Sequence, residues 1–159
     1  WLNSFQLELL NNGVRYILDE ADGYPTMYSN DNKEKAAETL SGMLDACESY
    51  SSITRNPMGI KFIEAAIRYN NRDAKTANLI WKTEIANLMA LTDKDFDNWT
   101  QADKDALRIG LILSSQALMK RDASTVNARP ICKKAEKWFE YDKDWIAFYE
   151  KKNNSFSEQ

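Results

Sequence analysis

Residues 101–119 read QADKDALRIGLILSSQALM, and this stretch decides the fold class. Ile109, Leu111, Ile112 and Leu113 point to every side of a helical wheel, the pattern of a helix surrounded by others. Gly110 in its middle lets a neighbouring backbone come close. Thr100, followed three residues later by Asp103, reads as the helix start. Such a helix needs apolar partners all round, and the flanking sequence offers them.

Upstream, Thr92 with Asp95 reads as a second helix start, and a helix over about 73–91 precedes it, set off by Asn70 and Asn71. Asn56-Pro57 looks like an N-cap with proline at the first helical position, opening a helix to about residue 69 with Ile60, Ile63, Ala66 and Ile67 inward. Asp31 and Glu34 have capping-box spacing. Behind them Ala36, Leu40, Met43, Cys47 and Tyr50 form a narrow seam. Residues 4–21 carry Leu7, Leu10, Val14, Ile17, Leu18 and Ala21 on one side, and Gly23 and Pro25 stop them. Downstream, Pro130 begins a last helix reaching about residue 152. Five glycines and three prolines in 159 residues leave little turn chemistry for strands. The expectation is an all-α, single-domain bundle of about six helices, residues 1–152, with the apolar helix 101–119 at its centre and a loose tail at 153–159. Short loops make sequential helices neighbours.

Composition removes whole classes of chemistry. The chain has no histidine, which excludes Ser-His-Asp and Cys-His nucleophile pairs, His-bearing zinc sites and Glu-x-x-His di-iron bundles. No glycine-rich phosphate loop is present, and no cofactor is expected. Cys47 and Cys132 are too few for a disulfide framework or a four-thiolate site. Cys47 should be buried and reduced, Cys132 partly exposed at the edge of its stripe, and the two can pair only if their helices are neighbours. The longest uncharged stretch in the second half, residues 109–119, falls well short of the roughly 20 residues a membrane span needs. A chain beginning at Trp1 is expected to be a processed product or a fragment, which leaves a cytoplasmic and a secreted location equally open.

Several groups of residues invite a functional reading, each beside a structural one. Asp93, Asp95 and Asp97 resemble the start of a calcium loop, but Asn98 and Lys104 stand where glycine and a bidentate glutamate belong, so capping of helix starts is the simpler account. Residues 120–138 hold six bases against two acids: Lys120, Arg121, Arg129, Lys133, Lys134 and Lys137 form a possible nucleic-acid or acidic-partner patch, or a solvated face. Trp81, Trp138 and Trp145 lie in apolar stripes, whereas Trp1 and Trp99 lie outside any long stripe and are candidate partner anchors.

Two carboxylates stand out. On a helical wheel Glu84 falls between Leu91 and Ala77, inside the stripe of Trp81 and Leu88. Asp142 falls between Ile131 and Ala135, inside the stripe of the last helix. A carboxylate facing a core costs several kcal/mol unless paired or protonated. Either each serves structure with its own donor, such as Arg15, Arg68 or Arg108, or the two share a cleft as acid and base. The expected function is a macromolecular interaction module (adaptor, inhibitor or assembly component) acting on another protein. The alternatives are a small carboxylate-dependent hydrolase of sugars or phosphates using Glu84 and Asp142, and a nucleic-acid binder through residues 120–138.

Overall fold

Helices account for almost all of the residues that the computed structural model describes, 31–119 and 128–139, and no strand occurs among them. They are α1 (Asp31–Ile53), α2 (Met58–Asn70), α3 (Ala74–Ala90), α4 (Asp93–Asp97), α5 (Gln101–Met119) and α6 (Arg129–Phe139). The all-α bundle expected from the apolar periodicity is what forms. Residues 4–21, 140–152 and the 153–159 tail lie outside the described residues.

Local sequence accounts for the boundaries. Thr92 and Thr100 accept bonds from the backbone N–H of Asp95 (3.1 Å) and Asp103 (3.2 Å), so both act as N-caps. Asp73 does the same for α3 through Thr76 N–H at 3.2 Å. Between α2 and α3 the chain reverses through a Schellman motif: Asp73 N–H bonds Arg68 C=O (2.8 Å) and Arg72 N–H bonds Tyr69 C=O (3.2 Å). This puts Arg72 at φ 66°, in the left-handed region. The expected Asn56 cap is not made. Pro57 occupies the cap position with no side-chain bond, because the Asn56 amide is turned toward Asp103 instead.

Ile109, Leu111, Ile112 and Leu113, which point to different sides of α5, are all at most 2% exposed. Among the described helices α2 packs on α1, α3 and α5, while α6 packs on α3 and α5. Two glycines allow the α2–α5 approach. A Cβ on Gly59 would strike the backbone of Ala106 and Leu107, and one on Gly110 would lie 2.5 Å from Gly59 O and 2.7 Å from Phe62 Cβ. The backbones therefore touch where side chains normally intervene.

Trp81 is fully buried, and its indole N–H donates to Ser114 Oγ (2.9 Å), which in turn donates to Phe62 C=O (2.9 Å). One hydroxyl thus satisfies the indole and ties α3 and α5 to α2. Cys47 is buried as expected, and burial pushes its thiol up to about 12. Cys132 departs from expectation: it is only 4% exposed, with its sulfur 4.0 Å from Ser115 Oγ, because α5 covers the edge of the α6 stripe. Both thiols are free.

Candidate functional site

The α1–α2 turn, the C-terminal half of α3 and the α4 segment enclose an open groove of about 520 Å³. Met58 is buried and Asn56, Pro57, Leu91 and Trp99 are partly buried, so Pro57, Met58, Leu91 and Trp99 make the apolar part of its lining. Arg55, Asn87, Asp95 and Asn98 are its exposed polar lining, and Glu84 is half-buried beside them. Glu84, singled out by its place on the helical wheel, and Trp99, singled out as lying outside any long stripe, therefore meet in one groove.

Among the described residues Glu84 has no strong donor of the kind a structural role predicts. Its contact is with the Asn87 amide, which donates at 3.4 Å, one turn along the same helix. Arg68, one of the anticipated partners, pairs with Glu64 at 3.1 Å and reaches Asp73 at 3.7 Å. Burial consequently raises the Glu84 carboxyl above its ordinary range, and the Asn87 bond only partly opposes this. Asp142 lies outside the described residues, as do Trp1 and Trp145.

A second carboxylate, not anticipated from the apolar stripes, shapes the groove from behind. Asp103 is 3% exposed and accepts from Tyr50 Oη (2.5 Å), Thr54 Oγ1 (2.6 Å) and Asn56 Nδ2 (3.4 Å). It thereby fixes the 54–57 turn, one wall of the groove, to the start of α5. Burial, and then the Asp103 carboxylate, push the Tyr50 hydroxyl above its usual range. A signal was present in the sequence: Asp103 shares a helix face with Ala106, Leu107 and Gly110.

Of the calcium-like and basic candidates, Asp93, Lys134 and Lys137 are engaged within the fold. Asp93 accepts from Trp138 Nε1 (2.8 Å) and pairs with Lys137 Nζ (2.9 Å), joining α4 to α6. These partners hold its carboxyl below the ordinary range, Lys137 first and Trp138 second. Asp95 and Asp97 are exposed, and among the described residues no three carboxylates or thiolates converge as a metal site. Lys134 donates to Leu91 C=O at 2.9 Å, satisfying the C-terminal end of α3, and its ammonium lies 4.8 Å from the Trp138 ring centroid. Trp138 stacks on Phe96 (4.3 Å, 8° between planes), and Trp99 tilts against the same ring at 5.5 Å. Lys133 and Arg129 are exposed on α6. Lys120 and Arg121 lie outside the described residues.

The opposite side of α3 carries a feature not anticipated from the sequence. Leu79 and Met89 are 61% and 62% exposed, and Lys75, Lys82, Ala86 and Ala90 on the same outer face are exposed with them. The available signal was their position: apolar residues opposite the stripe of Ala77, Trp81 and Leu88 have no core to enter. Among the described residues no helix is long and apolar enough to cross a membrane. Comparison with protein-family models, curated proteins and solved structures finds no match for this chain.

Proposed function

We propose that this protein is a macromolecular interaction module, an adaptor, inhibitor or assembly component, that docks a partner protein on the outer face of α3. The exposure of Leu79 and Met89 carries this reading. Single exposed apolar residues are ordinary, but these two share one face with Ala86 and Ala90, in a stripe about 15 Å long by helix rise. Lys75 and Lys82 stand on the same face, exposed. The partner that fits is an amphipathic helix, its apolar side chains along the stripe and its acids reaching the lysines.

Photo-reactive residues placed at 79 and 89, with a control at exposed position 48 on α1, test the reading in extracts of the native source. It is supported by crosslinks from 79 and 89 alone, to a peptide with helical apolar spacing and acidic residues, weakening as salt is added. Equal crosslinking from position 48, or only crosslinks to second copies of the chain, would count against it.

One observation favours a second reading, the small carboxylate-dependent hydrolase. Glu84 lies in an open groove with a raised pKa and a single long donor bond, the state suited to a general acid. Turnover of chromogenic glycosides or phosphate esters that disappears in Glu84→Gln is the expected result for that activity. No turnover on either class removes it.

A further inference from the structure

The geometry points to the α3–α4 groove as a binding site for a neutral pyranose ring, whether a free sugar or a residue of a glycan. This stands independently of the docking face on the other side of α3. A pyranose is an amphipathic disc: its axial C–H groups make an apolar face, and hydroxyls that both donate and accept surround it. The groove has the complementary layout. Its lining joins apolar Pro57, Met58, Leu91 and Trp99 to side chains that offer every kind of hydrogen-bonding group. Glu84 and Asp95 accept, Arg55 donates, and the Asn87 and Asn98 carboxamides do both. The volume of about 520 Å³ lies within the usual range for small-ligand sites.

The charges argue for a neutral ligand. Arg55 lines the same groove as Glu84 and Asp95, so a ligand of either sign meets a like charge as well as an opposite one. The polar groups also have capacity to spare. The Glu84 carboxylate accepts the 3.4 Å contact from Asn87, near the limit for a hydrogen bond. A ligand hydroxyl bridging those two side chains would give each a shorter bond. Asn56 and Thr54, held by Asp103, keep the adjoining wall in place before any ligand arrives, which lowers the ordering cost of binding.

Saturation-transfer NMR on the full chain tests this, using methyl β-glucoside, methyl β-galactoside, methyl α-mannoside and N-acetylglucosamine. Sorbitol serves as an acyclic polyol and agmatine as a guanidinium cation. The expected result is transfer to the ring C–H protons of at least one pyranoside and none to sorbitol. Affinity for that pyranoside falls roughly tenfold or more in Glu84→Gln, where a charged hydrogen bond is lost. Asn87→Ala, at an exposed position that cannot unfold the core, weakens it in the same direction. The proposal is overturned if no pyranoside shows transfer, if agmatine binds in place of all of them, or if both folded variants bind like the parent.

Discussion

Asp103 and Glu84 are both acids on apolar helix faces, and their surroundings give them opposite consequences. Asp103 takes three donors from Tyr50, Thr54 and Asn56, so Asp103→Asn removes the charge that strengthens all three bonds and sets an amide donor against the Asn56 amide. A loss of about 2 kcal/mol in denaturant titration is expected. Among the described residues Glu84 has one weak donor, and burial raises its pKa from the ordinary 4.5. The native state then binds more protons than the unfolded one above that value, so stability is full below pH 4.5 and declines as pH rises through the folded pKa. Glu84→Gln escapes this decline: its melting temperature should exceed the parent's at neutral pH, with the gap closing on acidification below pH 4.5. Glu84 stood out on the wheel because apolar neighbours surround its position on both sides. Asp103 did not, because an acid three residues after Thr100 favours a helix N-terminus whether it is buried or not. The expected exposure of Cys132 failed for a related reason, since a wheel describes one helix and not the neighbour that covers its edge.

Between the helices, the α2–α5 crossing depends on two missing side chains. Gly59→Ala places a methyl against the backbone of Ala106 and Leu107, which no rotamer change relieves, so a cost of about 3 kcal/mol or more is expected. Gly42 is the internal control: it is exposed in the middle of α1 with nothing within 4 Å of its absent Cβ. Gly42→Ala should stabilise by about 0.5–1 kcal/mol, and opposite signs in thermal melts of the two variants would check the pair. The close approach at Gly110 was legible because an interior glycine in so apolar a helix needs a packing reason. Gly59 was not, since beside a helix start a glycine serves the cap as readily as a crossing. Helix starts were legible wherever the cap is made locally, at Asp73, Thr92 and Thr100. The start at Asn56 was not, because its amide answers to Asp103, 47 residues away. The same limit applies to α6, whose Lys134 and Lys137 read as a basic patch but bind Leu91 and Asp93.

Across the molecule, α3 is the helix on which the functional account rests. Its inner face holds Ala77, Trp81 and Leu88 in the core, one edge forms the groove, and its outer face presents Leu79 and Met89. Periodicity revealed the first of these. The outer face was legible in the same pattern, as apolar residues opposite that stripe, whereas the groove depends on where α4 and the 54–57 turn end up, which no single-helix pattern encodes. Interaction through the outer face requires that the fold itself have no use for it. The double variant Leu79→Lys, Met89→Lys tests that requirement by equilibrium denaturation of the full chain. Two substitutions at truly spare surface positions should change stability by no more than about 1 kcal/mol, with an unchanged denaturant slope. A loss of about 3 kcal/mol or more would mean that Leu79 and Met89 are covered within the folded chain, and would contradict the docking face.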